Sequence, residues 1–145
     1  MAQDAAVKPD THAWVIPFIT VKDPRRSLAF YEQAFGFETA YANEQDGTIV
    51  HAEMSYQGQT VLLLTQEGQH SKSVKTPSNS KVESPTVVMI YIKRIDEVYK
   101  RALSLGAQTK FAPEAVPWGE RHCHILDLDG HQWQLAEVVE GKGTV

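Results

Sequence analysis

A single cysteine, Cys123, rules out an intrachain disulfide and any cysteine-rich zinc site in these 145 residues. Its thiol would need an electropositive neighbour to become reactive, so a small buried apolar role is the simpler reading. Long apolar runs are missing too. The longest, Val61 to Leu64, falls far short of a bilayer span, and the first ten residues carry neither the charged nor the apolar region of a secretion signal. The chain therefore reads as cytoplasmic, with no membrane partner. Clustered positive charge is also absent: the net charge is −4 and the isoelectric point about 5.8. Phosphate backbones need grouped Lys and Arg, so a nucleic-acid partner is not expected. Lys72, Lys75 and Lys81 lie in a polar stretch and read as solvated.

What is present is an ordinary globular composition, 42% apolar and 22% charged, carrying one pattern twice about 71 positions apart. Trp14 to Val21 is rich in aromatic and β-branched residues and hands over at Asp23 and Pro24, an N-cap followed by a first-turn proline. The helix that follows has Leu28, Phe30, Tyr31, Ala34 and Phe35 on one stripe and closes at Gly36. Strands are predicted over Phe37 to Asn43, Thr48 to Tyr56 and Thr60 to Thr65, with turns at Asp46-Gly47 and Gln57-Gly58. The second half repeats the order. It runs from strand Thr86 to Ile92, through a helix with Ile95, Val98, Tyr99, Ala102 and Leu103 closed by Gly106, to strands near Thr109 to Ala112, Arg121 to Asp127 and Gln132 to Val139.

These elements predict an α+β fold of two βαβββ modules whose curved mixed sheet makes a cup. Residues 1–13 are expected to be a disordered N-terminal tail, 14–66 the first module, 67–85 an exposed linker, 86–140 the second module and 141–145 a C-terminal tail. Alternate strand residues share a face, so the apolar set under each helix identifies its opposite as cup-facing. Val50, Ala52 and Met54 alternate with His51, Glu53 and Ser55; Cys123 and Ile125 alternate with His122 and His124. His51, Glu53, His122 and His124 thereby become the candidate catalytic groups, although one face of an antiparallel sheet is often simply wet. Trp133 and Leu135 point to the core, leaving Gln132 and Gln134 for the cup, and Trp118 either walls a pocket or caps the core.

Several stretches, taken in order, resemble the vicinal oxygen chelate superfamily, the glyoxalase, bleomycin resistance and extradiol dioxygenase group. They are Pro17 to Val21 followed by Asp23, FYEQAFGFE at Phe30 to Glu38, HAE at His51 to Glu53, VYKRALSLGA at Val98 to Ala107, WGER at Trp118 to Arg121, and DLDGHQWQLAE at Asp127 to Glu137. The pattern is most similar to small bacterial glyoxalase-like proteins, and the resemblance spans about Trp14 to Glu140.

The resemblance implies paired βαβββ modules, commonly a homodimer, and metal ligands at one cup-facing position on the first and last strand of each module. Those positions align with Ile16 and Leu63, and with Val87 and Gln134. Three aliphatic side chains and one amide make a poor set for a divalent ion, so no metal or other cofactor is expected at the usual place. A displaced divalent metal would have to draw on His51, Glu53, His122 and His124. The implied function is binding of a small apolar or planar molecule by Ile16, Leu63, Val87, Tyr91, Trp118 and Gln134, as in resistance proteins that sequester drugs. The alternative is a glyoxalase-type lyase or isomerase, or a dioxygenase, with His122 or His124 as base and Glu53 orienting or protonating. A duplicated interaction module with a vestigial cup is the third reading.

Overall fold

The computed structural model describes residues 5–139, and the tail at 141–145 lies outside them. The first module runs β1 (Phe18–Val21), α1 (Pro24–Phe35), β2 (Glu38–Gln45), β3 (Thr48–Tyr56) and β4 (Gln59–Gln66). A one-turn helix α2 (Pro77–Ser80) interrupts the connection. The second module repeats β5 (Val87–Tyr91), α3 (Ile95–Ser104), β6 (Gln108–Val116), β7 (Glu120–Leu126) and β8 (Gln132–Val138). Each module makes a four-stranded mixed sheet, ordered β1-β4-β3-β2 and β5-β8-β7-β6, in which the first strand lies parallel to the last. The two βαβββ modules predicted from the sequence are therefore present.

Local chemistry sets the helix ends. Asp23 accepts from the Arg26 amide at 3.3 Å, Pro24 fills the first turn, and Gly36 closes α1 with φ of 73°. Helix α3 has no side-chain cap of its own, because its N-cap residue is Arg94, whose guanidinium has no acceptor to offer the first amides. Instead the Glu137 carboxylate on β8 accepts from the Arg94 and Ile95 amides at 2.8 and 3.1 Å, satisfying the first turn from across the module.

Three boundaries differ from expectation. Strand β1 starts at Phe18, not Trp14, because Pro17 has no amide hydrogen for the ladder. Ile16 thus precedes the strand, and Trp14 and Val15 swing out to 79% and 86% exposure. Upstream, however, the chain is already tied in: Thr60 donates to the Thr11 carbonyl and accepts from the Ala13 amide, so order begins before residue 14. The connection at 67–85 is also anchored. Thr76 is fully buried and caps α2, and Glu67 accepts from the Thr76 amide and the Asn79 side chain. Strand β6 extends to Val116 through Pro113, which an edge strand broken by two register shifts tolerates.

The modules join through their helix-covered faces. Helices α1 and α3 pack against each other, and Arg101 donates to the Gln33 and Ala34 carbonyls at the end of α1, both at 3.1 Å. Trp133 on β8, 1% exposed, lies among Tyr31, Phe35 and Phe37 of the first module with ring centroids 5.2–6.2 Å apart. Asp127 binds the seam: one carboxylate oxygen accepts from the Trp133 indole and the Tyr31 hydroxyl, the other from the Asp129 and His131 amides. The helices lie between the sheets, so the two bare sheet faces look outward on opposite sides. Where the modules meet, a hollow of about 380 Å³ is lined by Tyr56 of the first and by Tyr91, Ile92, Ala136 and Val138 of the second.

Asp129, beside this seam, accepts from the Lys22 amide at 3.1 Å, and burial pushes its carboxyl above the ordinary value of 3.8. Burying the charge therefore costs stability above the raised value, and the cost is relieved as pH falls through it towards 3.8. Asp129→Asn keeps the acceptor without the charge. Urea denaturation is expected to show it at least as stable as wild type at pH 7, with the difference shrinking on acidification; a less stable variant at pH 7 would contradict this. Tyr31→Phe, which strips a donor from buried Asp127, is expected to cost about 1–3 kcal/mol.

Candidate functional site

On the outward face of the first sheet, Phe18 and Glu53 flank Leu63, Tyr41 stands opposite Glu53, and Asn43 opposite His51. Glu53 is the centre of a polar cluster. Its two carboxylate oxygens accept separately from His12 Nε2 at 3.0 Å and His51 Nε2 at 3.2 Å. Because a carboxylate only accepts, both imidazoles present Nε2–H to it, and among the described residues nothing bonds to His51 Nδ1. His12 Nδ1 is occupied by the Thr11 hydroxyl at 3.2 Å. The side chains of His12, His51 and Glu53 are 23–29% exposed, shielded but open to a small molecule.

The second outward face is organised by Glu120. Its carboxylate accepts from His122 Nε2 at 2.7 Å, the Trp118 indole at 3.2 Å and the Tyr91 hydroxyl at 3.0 Å. The His122 bond, helped by those from Tyr91 and Trp118, holds Glu120 below the usual carboxylate range, and the Tyr91 hydroxyl's own bond to Glu120 raises Tyr91. Gln134 donates from its side-chain amide to His122 Nδ1 at 3.0 Å, so both ring nitrogens of His122 are committed and its proton sits on Nε2. His124 is the opposite case: its Nε2 is screened from water without a partner, and its ring packs on Phe111 at 5.8 Å. Cys123 points to the core, where burial pushes its thiol up to about 12, so it is not a nucleophile.

His51 and His122 occupy equivalent positions 71 residues apart, yet the four candidate catalytic residues do not form one constellation in a chain. His51 and Glu53 are bonded on one face; His122 and His124 lie on the other, and the carboxylate beside His122 is Glu120, not Glu53. The ligand-binding set divides in the same way, Ile16 and Leu63 with the first module, Val87, Tyr91, Trp118 and Gln134 with the second. Two residues were missed. Glu120 carries the strand parity of His122 two positions on, a signal available in WGER. His12 lies in the expected tail and carries no such signal.

Parallel pairing places Phe18 beside Leu63 and Met89 beside Gln134, one step along the same faces from Ile16 and Val87. None of these six residues is a histidine or carboxylate, and the Gln134 amide is already engaged by His122. The positions at which the resemblance places metal ligands therefore do not fit a divalent ion. Among the described residues no group of three His, Cys, Asp or Glu side chains is placed to hold a metal, the displaced set included. No helix of the described residues is long and apolar enough to cross a membrane.

Comparison with known proteins gives a consistent result. The family model described as Glyoxalase/Bleomycin resistance protein/Dioxygenase superfamily matches residues 12–135. Uncharacterized proteins of Mycobacterium bovis and Mycobacterium tuberculosis are 29% identical over 124 residues, covering 85% of this chain and 82% and 73% of theirs. Among solved structures, TioX from Micromonospora sp. ML1 is 25% identical with a TM-score of 0.66, covering 86% of this chain and 95% of its own. A superfamily member from Sphaerobacter thermophilus is 26% identical, with a TM-score of 0.64 and coverage of 86% and 97%. FosX from Listeria monocytogenes, solved with Mn(II) and sulfate, shares the fold at 16% identity, a TM-score of 0.65 and coverage of 90% and 94%.

Two measurements check this site. Protein purified without chelator is expected to carry less than about a tenth of an equivalent of transition metal by elemental analysis. Two-bond 1H–15N NMR of the neutral imidazole is expected to find the His122 proton on Nε2, whereas the Nδ1–H tautomer would contradict the Gln134 contact.

Proposed function

Because the chain belongs to the glyoxalase/bleomycin resistance protein/dioxygenase superfamily, we propose that it is a homodimer that binds a small apolar or planar molecule. Each cup is built from the first sheet of one copy and the second sheet of the other. The carrying observation is the distribution of exposed apolar side chains. Phe18 (45%) and Tyr41 (52%) stand on one outward face; Met89 (47%), Tyr91 (53%), Phe111 (62%) and Trp118 (51%) stand on the other. Groups of large exposed apolar residues mark interaction surfaces. One twofold axis that sets the first face on its partner's second face covers both pairs at once, whereas like-on-like pairing needs two different interfaces.

Within such a cup the floor is Phe18, Leu63 and Met89, which suits an apolar body, and Gln134, His51 and Glu53 supply orienting polar groups. The binding reading needs no metal. A metal-free acid-base enzyme, a lyase or isomerase of glyoxalase type, is the second reading, favoured by the His51–Glu53 pair: the carboxylate orients the ring and leaves Nδ1 free to take a proton. His122, hydrogen-bonded at both nitrogens, has neither one open to a ligand.

Light scattering with thermal-shift screening tests this reading. Wild type is expected to run as a dimer and to be stabilised by planar apolar compounds. Met89→Lys is expected to give a folded monomer that has lost the ligand response. A monomeric wild type, or a monomeric variant that binds as well, would sink the two-copy cup. Isomerisation of a hemithioacetal that is lost in His51→Ala would favour the enzyme over the pure binder.

A further inference from the structure

The Glu120 carboxylate has an unusual electrostatic setting. Its side chain is only 14% exposed, and of its three hydrogen-bond donors, Tyr91, Trp118 and His122, two carry no charge to offer it. Among the described residues, no lysine or arginine pairs with it: Arg25 goes to Glu44, Lys110 to Glu83 and Arg121 to Asp96. Gln134 in turn donates to His122 Nδ1. The three bonds favour the ionised carboxylate, and a cation brought by a ligand would pair with a charge that no lysine or arginine meets.

The surroundings suit such a ligand. Trp118 and Tyr91, both half exposed, donate to the two carboxylate oxygens from their ring edges, so a cation set on the carboxylate would lie beside both rings. Tyr91 and Val138 also line a mainly apolar hollow of about 380 Å³ with Tyr56, Ile92 and Ala136, and Val138 pairs directly with Glu120. The charge thus stands at the rim of a space that holds a ring system. Two charged groups border the hollow: Lys93, which forms no ion pair with Glu120, and Glu137, whose oxygens are spent on the first turn of α3.

We propose that Glu120, framed by Trp118 and Tyr91, is the recognition point for a cationic nitrogen, an ammonium or amidinium, on a planar ligand whose apolar body occupies the Tyr56–Ala136–Val138 hollow. The proposal rests on the small-molecule cup and narrows its ligand to one charge class. An anionic ligand is disfavoured at this end of the cup by the carboxylate itself.

Calorimetric titration of the full chain with 2-naphthylmethylammonium, 2-naphthylmethanol and 2-naphthoate tests it, since the three share a ring and differ in charge. The ammonium is expected to bind about 10-fold more tightly than the alcohol, the carboxylate most weakly, and added salt to weaken only the ammonium. Glu120→Gln is expected to bring ammonium and alcohol together. Trp118→Leu, which leaves the carboxylate in place, is expected to weaken the ammonium more than the alcohol, and serves if the first variant does not fold. Equal binding of ammonium and alcohol by wild type overturns the proposal while leaving the cup intact. No binding of any of the three at millimolar concentration counts against the cup itself and takes the proposal with it.

Discussion

One buried carboxylate decides which way both sheets face. Asp127 closes the turn before β8 with two backbone amides and uses its other oxygen on Trp133 and on Tyr31 of α1. These are bonds between modules as well as within one. A buried carboxylate deprived of such donors is expensive, so the turn and α1 are held together, and with them the helix-covered faces. The aromatic group around Trp133 fills the space the bonds define. Once those faces are joined, the bare faces have only solvent or another molecule to meet. The outward placement of Phe18, Met89 and Tyr91 thus follows from the seam.

Duplication has preserved the scaffold while the chemistry has diverged. Leu63 and Gln134 hold the same strand register, as do His51 and His122. Glu53, however, corresponds to His124, and Glu120 to Ile49. Ile49 is buried, at 6% exposure, because adjacent Asn43 and Glu44 pair with His51 and Ile49, which leaves Val50 as an extra residue in β3 and turns Ile49 to the other face. The same interval therefore gives a cup-facing carboxylate in one module and a core residue in the other. Each histidine finds a carboxylate two positions away, but in opposite directions along its strand.

How much of this is legible in the sequence depends on the range of the interaction. The helix ends were readable because Asp23, Pro24 and Gly36 act within a turn of themselves, and the faces of β7, β8 and β3 from His51 onward because side-chain alternation is local; Val50, expected in the core, cedes the buried place to Ile49. The divided site was not. Parity tells that His51 and His122 both leave the core side of their sheets, but says nothing of how the sheets stand to each other, which rests on Tyr31 meeting residues about a hundred positions on. His12 was invisible for a related reason: it is placed by backbone bonds to Thr60, and no periodicity in residues 5–13 announces them. Pro17 did mark the true start of β1, and its missing amide was the available clue. Glu120 obeyed the parity rule.

The outward faces differ in how they hold negative charge. Glu53 is held by two imidazoles, one on each carboxylate oxygen. Glu120 has an indole, a phenol and one imidazole, and that imidazole is held at its other nitrogen by the Gln134 amide. The first carboxylate is thus bordered by imidazoles and the second mainly by aromatic edges. If the two faces close on one another across a twofold axis, each cup acquires a direction, from an imidazole-lined end at His51 to an aromatic end at Glu120. A symmetric hydrocarbon would gain nothing from that polarity, and a ligand with unlike ends would.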